Sequence, residues 1–382
     1  MFTPLKNIPE GKNWTLDELN DREVQLLIPV IIYMSITMVV GTIGNALVLY
    51  INIVVIKLRQ STHRYCITFL ALVDITYCVI CKSCLLLDLT HPYKFTNILA
   101  CKTLRTFSYF LSCMSIFILF TIAFDRYRRI CRPHGNQFSA RSMQRIVGII
   151  VVISCILCSP CFIVYGNRTV ETGVANITGI QCFQNDIYKD TMFPNGYTLF
   201  LYAIFIILTA FMSLFYIRVW REIKSRANDI NACFVPCATE ANACSGSNEM
   251  YTLEMRTIPQ AHHNVRGTTK SDACTGKYAR DGTIDIVSKK ANSRTKNIRV
   301  SKILLVVTVF FVLSFTPFLS IELVALSDER LIENLDNTST VFYQLFWRSY
   351  AINFVVNPFI YSVMDTKFRM QCKSFLCKRL NE

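Results

Sequence analysis

Seven stretches of this chain are long and apolar enough to cross a bilayer, and that property leaves few folds open. A hydrocarbon core of about 30 Å takes roughly 20 apolar residues wound as a helix. Uncharged runs extend from Leu27 to Ile56, Thr106 to Phe124, Ile146 to Asn167, Thr191 to Ile217 and Ile303 to Ile321. Two further runs carry isolated charges: Ile67 to Leu89 holds Asp74, Lys82 and Asp88, and Asn337 to Met364 holds Arg348. In lipid every backbone N–H and C=O must be bonded inside its own segment. The expected fold is therefore all-α, a bundle of seven transmembrane helices.

Charge supports this reading and gives it a direction. Only 17% of the 382 residues are charged, yet 40 Lys and Arg stand against 26 Asp and Glu. A strongly basic chain suggests nucleic acid, but the apolar content argues against such a partner and for the lipid bilayer. With the N-terminus outside, the segments 57–66, 126–145, 218–302 and the tail after Met364 are cytoplasmic. With Asp125 at their edge included they hold 29 basic and 11 acidic residues, while the remainder holds 11 basic and 15 acidic. Basic residues collect on the cytoplasmic side of membrane proteins. The four N-x-Ser/Thr sequons, at Asn13, Asn167, Asn176 and Asn337, all fall on the side assigned as extracellular. The organisation expected is an extracellular tail 1–26, a bundle 27–364 that includes the long cytoplasmic loop 218–302, and a cytoplasmic tail 365–382. The tail 1–26 is polar and lacks the short apolar core of a cleaved signal, so span one is expected to direct its own insertion.

Seven of the 17 cysteines sit inside apolar runs, where Cys behaves as a small hydrophobe. The pairs Cys81/Cys84 and Cys158/Cys161 have redox or metal spacing, but in this setting small lipid- or helix-facing residues explain them better. Cys233, Cys237, Cys244 and Cys274, with His262 and His263, are too irregularly spaced to indicate zinc. Cys101 and Cys182 are the two clearly extracellular cysteines, and the outside is oxidising, so a bridge between them is expected.

Ionisable groups inside a span are costly and mark functional sites. Asp74 stands in Leu70-Ala71-Leu72-Val73-Asp74, near the middle of span two. Asn45, Ser115, Asn353 and Asn357 are placed to complete a polar cluster with it. Such oxygens suit a small hard cation such as Na⁺, or hydrogen bonds between helices with no ion. Pro317 and Pro358 interrupt the ladders of spans six and seven and allow a helix half to swing.

These motifs together resemble a rhodopsin-like (class A) G-protein-coupled receptor. Asp125-Arg126-Tyr127 closes span three, 24 residues after Cys101, and Asn357-Pro358-Phe359-Ile360-Tyr361 closes span seven. Gly44-Asn45, the Leu70–Asp74 run and the Cys101/Cys182 pair complete the set. The resemblance runs from about Leu27 to Cys377, outside the loop 225–298. It implies that Asp125 holds Arg126 at rest, and that outward movement of span six frees Arg126 for a heterotrimeric G protein. Tyr216 and Tyr361 would then close around it. Asp74, Ser115, Asn353 and Asn357 match the family's allosteric Na⁺ pocket, and Ile116 and Phe311 match its connector. No other cofactor and no enzymatic activity are expected; neither HExxH nor GxSxG occurs. A transporter or channel is the rival, but no inverted repeats or paired intramembrane charges are visible.

The sequence also departs from the family pattern. The middle of span four lacks the usual Trp, Leu208 replaces the Pro of span five, and Phe315 stands where a Trp precedes Pro317. Ser108 occupies the position of the amine receptors' Asp, and Ala351 that of the opsins' Lys. A peptide receptor, for a neuropeptide or hormone, is favoured, with a lipid or other small molecule as the alternative. Lys82, Arg105, Ser108, Tyr109, Phe315, Phe318, Glu322 and Arg348 are the candidate ligand contacts.

After Asp365, Phe368, Cys372, Phe375 and Leu376 share one face among basic residues, which suits a short helix on the inner leaflet of the plasma membrane. Cys372 and Cys377 are candidate palmitoylation sites. The Ser- and Thr-rich loop is the expected substrate of a receptor kinase and the docking place of arrestin. No acid stands near Asn297 at the cytoplasmic end of span six, so a second restraint on Arg126 is missing. Second-messenger levels without ligand should therefore be higher in the wild type than in Arg126→Ala; equal levels would remove the expectation.

Overall fold

The computed structural model describes residues 5, 12–55, 62–188, 191–241, 276–327, 331–332 and 334–380, with the side chains of 55, 63, 226–241, 276–297, 326, 367 and 375–380 excepted. The side chains of Cys233, Cys237, Cys244, Cys274, His262, His263, Asn297 and Cys377 lie outside that description.

Span one starts earlier than its apolar run. Thr15 Oγ1 accepts from the Glu18 N–H at 3.3 Å, and the Glu18 carboxylate takes the Thr15 N–H at 3.0 Å. This reciprocal cap satisfies two orphan donors and begins the helix, Leu16–Tyr50, within the expected tail. Helical periodicity then aligns Leu19, Glu23 and Leu27 on the inner face. Glu23, within the stretch read from sequence as a polar tail, is 1% exposed.

Span two is helix Thr62–Thr76, a π turn Tyr77–Cys81 and helix Lys82–Thr90. Span three is Ile98–Cys131, begun by the Asn97 side chain accepting from Ala100 N–H. Span four is Ala140–Cys158, begun in the same way by Ser139. Span five, Phe193–Ala241, and span six, Gly276–Ser327, run well past the membrane. At 49 residues span five is about 74 Å long. The basic ends 218–224 and 294–302 of the long cytoplasmic loop are helical, and the ladder continues beyond them to Ala241 and back to Gly276.

Among the described residues six helices are long and apolar enough to span a membrane. The seventh stretch is broken: Asn337–Trp347, a 3₁₀ turn Ser349–Ile352, then Asn353–Met364. Asp336 caps its start, accepting from Thr338 N–H at 3.1 Å. Hydrogen bonds, that of Ser339 foremost, hold the Asp336 carboxyl below the ordinary carboxylate range. Helix Thr366–Leu380 follows, with Phe368 buried against the Tyr361 ring.

One element was absent from the sequence reading. Between spans four and five lies an antiparallel hairpin, β1 Tyr165–Glu171 and β2 Thr178–Gln184, in register at Asn167↔Cys182. Its turn uses Gly173 at φ 90° and Asn176 at φ 65°, residue types that tolerate the left-handed region. The Cys101–Cys182 disulfide fastens β2 to the head of span three.

The bundle is inside out with respect to a soluble protein. Ile36, Ile43, Ile156 and Val363 face outward at 58–70% exposure, while Asn45, Asp74, Ser115, Asn353 and Asn357 are at most 1% exposed. Cys158 and Cys161 are buried, and Cys158 donates to Cys113 Sγ at 3.4 Å across to span three, so both face protein rather than lipid.

Close packing of spans one, two and seven depends on Gly41. A Cβ there would lie 2.5 Å from Cys78 Sγ and 3.2 Å from Val355 Cγ2. Gly41→Ala should destabilise the purified protein by about 1–3 kcal/mol, read as a fall in Tm of several degrees. Gly148, with nothing within 4 Å, is the control: Gly148→Ala should leave Tm unchanged or slightly raised.

Candidate functional site

Polar and aromatic groups gather in three places along the bundle axis. At the disulfide end is a cavity of about 1,010 Å³, counting its open mouth. Arg105, Ser108, Tyr109, Phe315 and Phe318 line it, with Trp347 and Tyr350 from span seven. Arg105 Nη2 donates to Asp88 Oδ2 and to the Cys182 carbonyl, each at 3.0 Å. One guanidinium thus ties spans two and three to the hairpin while bordering the cavity. Tyr109 shares a 2.7 Å hydroxyl–hydroxyl hydrogen bond with Tyr165 of β1.

Five of the eight expected ligand contacts therefore stand on the cavity wall, and three do not. Lys82 is fully buried outside the lining, because the π turn changes the facing of the residues after it. Arg348 sits at the break in span seven, its guanidinium folded back onto the carbonyl and side chain of Gln344 and set 5.1 Å from the Trp347 ring. Glu322 lies off the lining and accepts the Trp347 indole N–H.

The floor of the cavity is an aromatic stack. Phe315 lies 4.9 Å from Phe205 and 4.7 Å from Phe311, and Phe318 lies 5.0 Å from Tyr350. Phe311 is completely buried. Pro317 has no N–H to offer the preceding turn. Nearby, Ser349 Oγ of span seven donates to the Ser314 carbonyl at 2.8 Å, bracing the two interrupted helices against each other. Nothing in the sequence pattern singled out Ser349, whose partner is 35 residues away.

In the middle, the expected polar residues do converge. Asn357 Nδ2 donates to Asp74 Oδ2 at 2.9 Å, and Asn353 Nδ2 to Ser115 Oγ at 3.3 Å. Asn45 Nδ2 bonds the carbonyls of Gly41 and Phe354, both at 2.9 Å. Asp74 Oδ1 and the side-chain carbonyl oxygens of Asn353 and Asn357 are buried without a hydrogen-bond partner. By chemistry alone that oxygen set suits a small hard cation.

At the far end Arg126 is 2% exposed and paired with Asp125. Asp125 also accepts from Arg129 Nε at 2.9 Å, and Arg129 Nη2 reaches Thr62 Oγ1 at 2.7 Å. Arg129 and Thr62 were missed by motif reading, although Arg129 lies one helical turn after Asp125 and so had a visible i, i+4 signal. Tyr216 and Tyr361 are both buried nearby, each with an unbonded hydroxyl. Tyr127 stacks on Phe215 of span five at 5.3 Å.

The sequon residues all lie toward the disulfide end: Asn13 before span one, Asn167 and Asn176 in the hairpin and Asn337 at the start of span seven. Asn176 is exposed at the turn, whereas Asn167 Nδ2 bonds the Thr96 carbonyl at 3.1 Å.

Comparison with known proteins agrees with this arrangement. The family model described as 7 transmembrane receptor (rhodopsin family) matches residues 44–361. The cholecystokinin receptor type A of Homo sapiens is 26% identical over 359 residues, covering 91% of this chain and 80% of the relative. The muscarinic acetylcholine receptor M3 of Sus scrofa is 26% identical over 286 residues, covering 69% and 46%. Nematocin receptor 2 of Caenorhabditis elegans is 23% identical over 253 residues, covering 64% and 62%. The chain is a membrane-embedded, non-enzymatic receptor that belongs to the rhodopsin family of seven-transmembrane receptors.

Proposed function

We propose that the cavity at the disulfide end receives an extracellular peptide and that its occupation drives a heterotrimeric G protein at the Asp125–Arg126 end. The observation that carries this reading is the unbroken packing from the cavity wall, through Phe315 and Phe311, to the core above Arg126. Nine of the 19 wall residues are aromatic and one is a guanidinium, a combination that holds both the rings and the carboxylate of a peptide. Ser108 offers no acid for an amine, which sets this cavity apart from that of a muscarinic receptor. The relatives named for cholecystokinin and nematocin are peptide receptors. A ligand that displaces Phe315 or Phe318 pushes on span six on either side of Pro317. The opposite half then swings outward, and Arg126 exchanges Asp125 for the G protein, with Tyr216 and Tyr361 filling the space.

The sequons at the disulfide end and the basic residues at the other support a plasma-membrane placement with the N-terminus outside and the C-terminus in the cytoplasm. Arrestin and receptor kinase are assigned to the loop between spans five and six, whose segment 242–275 lies outside the described residues. Cys372 on the last helix is half-buried against the bundle, and burial pushes its thiol above the ordinary range. With Cys377 it forms the candidate palmitoylation pair.

Cells carrying the receptor and a promiscuous G protein should load guanine nucleotide when a peptide library is applied, and Arg126→Ala should abolish loading at equal surface expression. Arg105→Ala and Phe318→Ala should each weaken the active peptide's potency by roughly 10-fold or more, the worth of one charged or aromatic anchor. A response to lipid fractions with none to peptides would transfer the site to the alternative ligand class. Labelling with a palmitate analogue should disappear in Cys372→Ser/Cys377→Ser; persistence would place the acyl chain elsewhere.

A further inference from the structure

Among the described residues most buried charges have an identifiable partner, and Asp74 and Lys82 stand out as an unpaired anion and cation on one helix. Asp125 is served by Arg126 and Arg129, and Asp88 by Arg105. Arg348 rests on Gln344, and Glu23, at the head of span one, has an unbonded Oε1 of its own. Asp74 and Lys82 share span two, both at 0% exposure. Lys82 Nζ is buried with no hydrogen-bond partner, and Asp74 Oδ1 has none either. An ammonium in this setting is far too costly to stand alone.

The helix between them is shaped to bring them together. Eight residues of regular α-helix turn about 800°, which leaves the two side chains about 80° apart. The π turn Tyr77–Cys81 lies between them and acts as a one-residue insertion. The effective rotation falls to about 700°, and the two side chains come within about 20° of one face. Side chains on a helix also lean toward its N-terminus, which from Lys82 is the direction of Asp74. No direct ion pair within 4.0 Å joins the two charges.

We propose that Lys82 is the resident cation of the central polar cluster. Its ammonium, by a rotamer change or through an ordered water, neutralises Asp74 and takes the place that Na⁺ would have beside Asp74, Ser115, Asn353 and Asn357. The oxygens suit a small cation, but the positive charge is already supplied by the chain. The same facing explains why Lys82 is missing from the cavity wall.

The test needs neither ligand nor G protein, so it stands apart from the function proposed above. Tm of the purified full-length receptor is measured in sodium chloride and in choline chloride at equal ionic strength. The wild type should show the same Tm in both. Lys82→Met, which keeps the stem and removes the charge, should gain a rise of about 2–4 °C in sodium. Adding Asp74→Asn to that variant should abolish the rise. Asp74→Asn alone should lower Tm by stranding the ammonium, and Lys82→Met should recover much of that loss. A sodium-dependent rise in the wild type would overturn the proposal, and so would a folded Lys82→Met with no sodium response. Should Lys82→Met fail to fold, the wild-type salt comparison and Asp74→Asn decide: a Tm for Asp74→Asn equal to wild type would also overturn it.

Discussion

A charge inside hydrocarbon must meet an opposite charge or a shell of dipoles, and the packing of this receptor is arranged around that requirement. Three of its buried carboxylates tie helices together, two directly and one through an arginine of its own helix. Asp88 links span two to span three through Arg105, and the same guanidinium reaches the hairpin at the Cys182 carbonyl. Asp74 links span two to span seven through Asn357. Asp125 gathers Arg126 and Arg129, and Arg129 reaches back to Thr62 at the foot of span two. Between lipid-facing surfaces no hydrophobic force holds helices together, so such bonds and close contacts at small residues carry the association. Gly41 and the Asn45 amide, both on span one, show the two devices side by side.

The same economy applies to the interrupted backbone. A proline or a 3₁₀ turn frees carbonyls that lipid cannot satisfy. Span seven breaks at Arg348, whose side chain returns to the Gln344 carbonyl, and Ser349 supplies the Ser314 carbonyl near the Pro317 kink. The irregular segments of spans six and seven therefore face each other at the floor of the cavity. That cavity is the proposed seat of the ligand.

Reading the residues in order recovered the membrane class, the seven spans, the disulfide partners and the members of the central cluster. Each has a local or compositional mark: a run of about 20 apolar residues, a Cys outside the spans, an Asp where hydrocarbon forbids one. Other features carry no such mark. The capping box at Thr15 and Glu18 lies in a polar stretch that reads as a tail, yet it extends span one and buries Glu23. The β hairpin has little alternation in its sequence and is held by its register and by Cys182.

Hydropathy and charge alone settled that this chain is a multi-pass helical protein, because bilayer thickness and the cost of bare backbone admit almost nothing else. Motif spacing narrowed it to the rhodopsin-like receptors. Which side chains meet was decided only by the tertiary structure, since helix facing depends on departures from the regular 3.6-residue turn. One π turn in span two takes Lys82 off the cavity wall and turns it toward the face of Asp74, while Arg105, 17 residues from Asp88, is the cation that remains at the mouth.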